Sequence, residues 1–225
     1  MTVYLLPAEP FFPPVEEAEP DGLIAIGGDL SVDRLIQAYA QGIFPWFKED
    51  EDIYWYSPNP RMLMFPEQFK ISDSLNRLIR SNRYTIRYDT VFEQVIRGCA
   101  AAPRPGQEGT WISGDFIEAY TALHLKGFAH SVEVFYQETL VGGLYGVSLG
   151  AGFFGESMFS AVSNASKVAF HALVGRCRQY RFKFIDCQTE TSHLLGLGAT
   201  LIERKEYMAL LGEALNERTL KGAWV

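Results

Sequence analysis

The chain has 225 residues, 48% of them hydrophobic and 21% charged, which is ordinary for a soluble globular protein of one large domain or of a main domain with a small companion. Its net charge of −7 argues against a protein that wraps nucleic acid broadly, because neutralisation of phosphates supplies most of that affinity. A local basic patch that grips a single-stranded end is still compatible with this charge.

The cellular compartment and the metal content can be predicted from a few features. No apolar run approaches the roughly 18 residues of a membrane-spanning helix. Residues 1–7 lack the basic leader of a signal peptide. Cys99, Cys177 and Cys187 are odd in number and have no metal-like spacing. We therefore expect a cytoplasmic protein with reduced thiols, no metal site and no membrane contact.

Residues 1 to about 60 are rich in proline and aromatic residues. Gly27 and Gly28 predict a turn rather than a phosphate loop, since no Gly-Lys-Ser/Thr follows. A short helix capped by Ser31 is expected after this turn. Trp46 and Trp55 lie on either side of the charged turn at residues 48–52. They either form a small core with the prolines or provide a lid whose aromatic face stacks on a terminal nucleobase.

From residue 66 the chain becomes regular, with helices that alternate with strands. Gly127 is expected to end one helix, and Gly142 and Gly143 predict a bulge or a close backbone approach within a strand. The predicted helices are residues 71–80, 90–101 (capped by Thr90), 113–126, 164–180, a segment from 189, and 203–215; the predicted strands are 84–88, 130–136, 140–149 (continued at 153–154), 183–188 and a segment near 200. This order predicts an α+β or α/β-like fold, with helices that flank a mixed sheet.

One cationic cluster stands out in this acidic chain. Arg77, Arg80, Arg83 and Arg87 lie within eleven residues, with only two aspartates near them. A solvated helix face is the usual explanation of such a run. Because the rest of the chain is acidic, we favour contacts with the phosphates of a nucleic acid, which arginine suits by its charge and its forked geometry.

The chemistry is expected in two polar stretches. The apolar run Phe184-Ile185 stops at Asp186-Cys187-Gln188 just before a predicted helix, and α/β folds bind ligands beyond the carboxyl ends of strands. Asp186 and Gln188 are two residues apart, so both are predicted to project from the same face of the strand. The second stretch, residues 150–160, is rich in glycine and aromatic residues and holds one acid, Glu156.

Seven short motifs resemble those of the leucyl/phenylalanyl-tRNA–protein transferase family, in the same order and over nearly the whole chain. They are IGGDL (26–30), GIFPWF (42–47), WYSPNPR (55–61), GTWI (109–112), GESMFS (155–160), ASK (165–167) and IDCQ (185–188). Each motif alone is weak, but seven in register are highly specific. The resemblance implies a GNAT-type acyltransferase main domain, placed here at residues 63–225, behind a small N-terminal domain at residues 1–62.

The resemblance also implies an activity: transfer of Leu or Phe, and Met more weakly, from aminoacyl-tRNA to proteins with N-terminal Arg or Lys, which marks them for N-end-rule degradation. It makes Asp186 and Gln188 the central catalytic residues, acting either in a relay or beside a substrate-assisted route. The ester is already activated, so no cofactor is expected, and we expect a monomer. The alternative role of Asp186 is that of a carboxylate that stabilises a helix N-terminus.

The other candidate residues are assigned by chemistry. Glu156 suits a cationic N-terminal side chain, or else an internal partner such as Lys167. Trp46 and Trp111 are candidates for stacking on the terminal adenosine, with ordinary core packing as the alternative for Trp111. The candidates for an apolar donor pocket, each of which more often is ordinary core, are Leu144, Tyr145, Phe153, Met158 and Phe170.

Two other functions fit the sequence less well. A coenzyme A-dependent N-acetyltransferase needs a glycine-rich turn for the pyrophosphate, and none precedes the helix at Asn164. A non-catalytic binder of N-terminal residues or RNA ends has no need of both polar strand-end residues and an apolar pocket. Two departures from the family pattern are Ala161, where a basic residue is frequent, and Glu203, where proline is usual. The first puts one phosphate or acceptor contact in doubt, and the second is expected to have no effect.

Overall fold

The computed structural model describes residues 3–48, 51–103 and 110–224. Residues 104–109, between the predicted helices 90–101 and 113–126, and part of the charged turn at 48–52 therefore lie outside the described residues. The elements are β1 (Tyr4–Leu6), β2 (Leu23–Gly27), α1 (Val32–Ala40), β3 (Phe44–Pro45), β4 (Tyr54–Tyr56), β5 (Arg61–Met64), α2 (Asp73–Arg80), β6 (Thr85–Tyr88), α3 (Phe92–Ala101), α4 (Gly114–Leu125), β7 (Ala129–Tyr136), β8 (Thr139–Leu149), β9 (Gly152–Ser160), α5 (Ala165–Gln179), β10 (Phe184–Gln188), α6 (Ser192–Gly196), β11 (Thr200–Ile202) and α7 (Arg204–Leu215).

The strands form two mixed sheets. A four-stranded sheet has the order β1-β2-β4-β3, and a seven-stranded sheet has the order β11-β5-β10-β9-β8-β7-β6. Two neighbouring pairs are parallel, β1 with β2 and β9 with β10, and the other pairs are antiparallel. The predicted class, with helices that flank a mixed sheet, is confirmed. Strand β5 spans the predicted boundary at residues 62 and 63 and pairs with the larger sheet, and the division into two domains stays a prediction.

Helices cover both faces of the larger sheet. A Cβ on Gly142 of β8 would lie 2.5 Å from Cβ of Ala165 in α5, and one on Gly143 would lie 3.3 Å from Val95 in α3. Because neighbouring strand residues point to opposite faces, α5 and α3 lie on opposite sides of the sheet. The register between β7 and β8 also shifts beside Gly142. The prediction of a bulge or a close backbone approach is confirmed.

Serine caps fix the starts of several helices. Ser31 accepts a hydrogen bond from the Arg34 backbone, Ser72 from that of Leu75 and Ser113 from that of Phe116. The predicted cap at Thr90 is wrong. Helix α3 begins at Phe92 without a side-chain cap, and the Thr90 hydroxyl donates instead to Glu133 at 3.0 Å.

The two tryptophans of the N-terminal region have different environments. Trp55 is fully buried, packs edge-on against Phe12 at 4.8 Å between ring centroids, and donates its indole N–H to the Gly27 carbonyl. Trp46 is 45% exposed and contacts Tyr56 edge-on. The core explanation therefore holds for Trp55 and leaves Trp46 at the surface. In the part of the chain that is described, no helix is both long enough and apolar enough to cross a bilayer.

Candidate active site

The site is a gap between two parallel strands that separate. Strands β9 and β10 pair from Gly152–Phe184 to Phe154–Asp186, and β9 then continues six residues further, to Ser160. Strand β10 bends away because Cys187 forms a bulge against β5 and Gln188 adopts a left-handed backbone, with φ of +64°. A cavity of about 340 Å³ lies in the gap.

Most of the predicted pocket residues line this cavity. Leu144, Tyr145, Met158 and Phe170 do so. Phe153 does not: it is fully buried in the core cluster that also contains Leu144 and Phe170, with its ring 5.5 Å from that of Trp224. That assignment is corrected. Apolar lining residues that sequence reasoning missed are Phe44, Leu173, Ile185 and Leu194.

Both predicted adenosine-contacting tryptophans lie at the cavity. Trp46, just after β3, and Trp111, just before α4, both line its wall. Trp111 packs edge-on against Phe116 at 5.0 Å. Trp46 is nearly half exposed, so part of its ring surface is accessible to a ligand in the cavity.

Asp186 lies behind the cavity wall and not in it. Its carboxylate is fully buried and accepts hydrogen bonds from Arg61 Nε (2.9 Å), Arg61 Nη2 (2.7 Å), the Tyr207 hydroxyl (2.7 Å) and the Gln188 backbone N–H (2.9 Å). Gln188 and its neighbour Cys187 both line the cavity. The prediction that Asp186 and Gln188 share one face is therefore wrong, because the bulge at Cys187 interrupts the alternation of the strand.

Arg61 is the partner of Asp186 that sequence reasoning did not assign. It is buried, and its guanidinium lies between the rings of Phe44 and Tyr207, 4.8 and 4.7 Å from their centroids. Burial opposes the charge of Arg61, but the Asp186 carboxylate outweighs it and raises the pKa of the guanidinium. Burial raises the pKa of Tyr207 well above its usual value, so this phenol stays protonated and donates. The sequence feature that indicates a buried arginine is the position of Arg61 directly before the apolar run Met62-Leu63-Met64.

Glu156 is the carboxylate that reaches the cavity. Its Oε1 accepts hydrogen bonds from the Tyr39 hydroxyl (2.7 Å) and from Gln188 Nε2 (2.9 Å), and its Oε2 accepts one long bond from Tyr120 (3.4 Å). The two phenols are also hydrogen-bonded to each other. Burial raises the pKa of Glu156 to about 7, assisted by the Asp186 charge and opposed by the hydrogen bonds from Tyr39, Gln188 and Tyr120.

No basic side chain neutralises Glu156 among the ion pairs of the described residues, so the alternative of an internal pair with Lys167 is not observed. Sequence reasoning missed Tyr39 and Tyr120, which lie on α1 and α4, far from Glu156 along the chain. No three His, Cys, Asp or Glu side chains of the described ranges are grouped to hold a metal ion.

The arginine cluster lies away from the cavity. Arg77 and Arg80 project from α2, and Arg83 precedes the edge strand β6; all three are exposed, and none forms an ion pair with a described residue. Arg87 instead pairs with Glu138 at 3.2 Å. Strand β6 is three strands from β9, which places it roughly 14 Å away at about 4.8 Å per strand.

The comparisons with known proteins extend over the whole chain. Residues 63–212 match the family model described as leucyl/phenylalanyl-tRNA protein transferase, and residues 28–59 match that of its N-terminal domain. A leucyl/phenylalanyl-tRNA–protein transferase of Anaeromyxobacter sp. (strain Fw109-5) is 53% identical, over 100% of this chain and 95% of its own length. One from Thermodesulfovibrio yellowstonii is 52% identical, over 100% of this chain and 91% of its own.

Similar solved structures are more distant. FemX is 14% identical with a TM-score of 0.47, over 76% of this chain and 66% of its own. An aminoglycoside acetyltransferase from an uncultured soil sample is 15% identical with a TM-score of 0.40, over 52% of this chain and 85% of its own. On the family match and the sequence identities, the chain belongs to the leucyl/phenylalanyl-tRNA–protein transferase family.

Proposed function

We propose that the protein is an aminoacyltransferase that moves leucine or phenylalanine, and methionine more weakly, from aminoacyl-tRNA to the α-amino group of an acceptor protein. The observation that carries this proposal is the cavity between β9 and β10. It is apolar along most of its wall, yet it contains one carboxylate and one amide, Glu156 and Gln188, hydrogen-bonded to each other at its polar side.

The chemistry requires little beyond positioning. The aminoacyl ester is already activated, and an α-amino group with a pKa of about 7.7–8.0 is partly neutral at cellular pH. The site must hold the amine in line with the ester carbonyl and exclude water. Gln188 lies in the cavity wall, where its amide can orient the amine or the carbonyl. Asp186 acts from behind, since its carboxylate accepts the Gln188 backbone N–H and fixes the bulge.

The donor side chain fits the apolar part of the cavity. Leu144, Met158 and Phe170 provide an aliphatic, a flexible and an aromatic surface for an unbranched or aromatic side chain. Such a pocket discriminates by only about 1–3 kcal/mol per methylene, which accounts for the acceptance of several apolar amino acids. Tyr145 lies beside them, with its ring edge-on to Phe92 and Tyr120.

The tRNA is held at two places in this proposal. The terminal adenine stacks on Trp46, with Trp111 on the same cavity, and each such stack contributes about 1–3 kcal/mol. Arg77, Arg80 and Arg83 contact phosphates further along the tRNA, since they are exposed and unpaired among the described ion pairs. Arg87 contributes less, because Glu138 already neutralises it.

The acceptor carries N-terminal Arg or Lys and is marked for N-end-rule degradation, as the family resemblance implies. Glu156 supports this part, because a buried carboxylate that forms no ion pair among the described residues attracts a positively charged terminus. The reaction takes place in the cytoplasm, and the protein acts as a monomer without a cofactor.

An incorporation assay tests the proposal. The purified protein is incubated with [¹⁴C]leucyl-tRNA and a peptide that begins with Arg, without ATP or coenzyme A, and labelled peptide is counted. Controls are the same peptide with an acetylated N-terminus, a peptide that begins with Asp, and free leucine with deacylated tRNA. We expect product only from the first mixture. Absence of product, or acetylation of the peptide from acetyl-coenzyme A, would refute the proposal.

A further inference from the structure

The proposed transfer requires that one proton change place. The amine nitrogen forms a bond to the ester carbonyl carbon and must lose a proton, while the carbonyl carbon releases the ribose oxygen, which must gain one. Two buried carboxylates of the described residues, Glu156 and Asp186, lie beside the cavity, and their surroundings decide which of them can handle this proton.

Neither carboxylate oxygen of Asp186 is free to accept this proton. Both oxygens are occupied: Oδ1 by Arg61 Nε and the Gln188 N–H, Oδ2 by Arg61 Nη2 and the Tyr207 hydroxyl. The carboxylate is fully buried and does not line the cavity. A substrate amine would have to displace a bidentate guanidinium to reach it, which removes the charge partner that makes the buried carboxylate tolerable.

Glu156 is placed differently. It lines the cavity, and of the described residues that do so it alone carries a carboxylate. Its Oε1 is filled by Tyr39 and Gln188, which fix the orientation of the group. Its Oε2 has only the 3.4 Å contact with Tyr120, beyond the usual range for an O–H···O bond, so it retains accepting capacity.

We propose, on the basis of the transferase function above, that Glu156 and not Asp186 accepts the proton that the attacking α-amine loses. The carboxylate takes one proton from nitrogen as the C–N bond forms and delivers one proton to the ribose oxygen as the C–O bond breaks. Glu156 thus returns to its starting state, and the products are the new amide and the free ribose hydroxyl. Tyr39 and Gln188 are positioning residues for this base.

The charged and titratable neighbours of Glu156 agree with this role. Tyr39 faces it from α1, Tyr120 from α4, Asp186 from β10 and Arg61 from β5. Burial, together with the Asp186 charge, raises the pKa of Glu156 to about 7, and the donors Tyr39 and Tyr120 lower it in part. A base with a pKa near the working pH is most effective, because it is substantially deprotonated and still holds a proton well.

Single-turnover rates measured from pH 5.5 to 9, at saturating leucyl-tRNA and Arg-peptide, test the assignment. In the wild type we expect the rate to rise through an apparent pKa near 7. Glu156→Gln should lower the rate constant at least about 100-fold, the lower end of what a general base contributes. The matched variant Asp186→Asn should lower the rate but keep the rise with pH.

Because Glu156→Gln could lose activity by misfolding, a second variant retains the Glu156 carboxylate and changes only its surroundings. Tyr39→Phe removes one donor to Oε1, so the apparent pKa of the rate should move upward, with Glu156 still present. The proposal is overturned if Glu156→Gln retains the wild-type rate constant and raises only the KM of the peptide, or if Asp186→Asn abolishes the rise with pH. A wild type that forms no product would refute the transferase function itself, which is a separate result.

Discussion

Removal of the Arg61 guanidinium tests the role of the buried ion pair. Arg61→Met keeps an unbranched apolar stem but removes the guanidinium that lies against Phe44 and Tyr207, and it leaves the Asp186 carboxylate buried without its cation. Breaking a buried pair from one side typically destabilises a protein by about 3–5 kcal/mol. With a urea m-value of about 3 kcal/mol/M, the unfolding midpoint should fall by about 1–2 M.

A surface pair of the same chemistry provides the control. Arg97 pairs with Glu93 at 2.7 Å on α3, with both side chains more than half exposed. Arg97→Met should therefore change stability by no more than about 1 kcal/mol. The double variant Arg61→Met with Asp186→Asn should recover part of the loss, because it removes the unpaired charge and keeps an acceptor for Tyr207. Urea unfolding followed by tryptophan fluorescence measures all three. A single Arg61→Met variant as stable as the wild type would refute the reasoning.

Two further predictions concern charge. Replacing Arg77, Arg80 and Arg83 together by Ala should weaken tRNA binding and reduce the slope of log K against log salt concentration by the contribution of about two to three phosphate contacts. Arg87→Ala should change this slope little. Equal slopes for the wild type and the triple variant would contradict the phosphate assignment. Glu156 has a folded-state pKa raised to about 7, so the folded protein holds its proton longer than the unfolded chain and wild-type stability should fall as pH rises from about 4.5 to 7. Glu156→Gln should not lose stability over this pH range, and the loss in the wild type amounts to up to about 3 kcal/mol at 1.36 kcal/mol per pKa unit. Melting temperatures that change with pH by the same amount in the two proteins would contradict this prediction.

Local signals in the sequence predicted much of the fold. Ser31, predicted as a cap, correctly placed the start of α1, because a cap depends only on residues within one turn. The glycines of β8 correctly indicated a close approach of the α5 backbone. Thr90 was assigned as a cap by the same rule and failed, because the buried Glu133 on β7 competes for its hydroxyl.

The site was predicted less completely, because long-range contacts build it. The motif around Asp186 identified the correct strand end. The regular alternation of side chains along a strand could not reveal the bulge at Cys187, which places Asp186 and Gln188 on different faces. Arg61 is 125 residues from Asp186, and Tyr39 is 117 residues from Glu156, so no local pattern links them. Phe153 was misplaced because it packs against Trp224, which is distant along the chain, and no local pattern indicates that contact.

Filling the cavity tests the central claim most directly. Met158 lines it and is only partly buried, so the larger side chain of Met158→Trp can extend into the cavity and occupy the space proposed for the donor side chain. Leu125→Trp, at an exposed position on α4, is the matched control. We predict that transfer from leucyl-tRNA to an Arg-peptide falls at least about tenfold, equal to 1.4 kcal/mol, in the first variant and is unchanged in the second. A folded Met158→Trp protein with the wild-type rate would contradict the account.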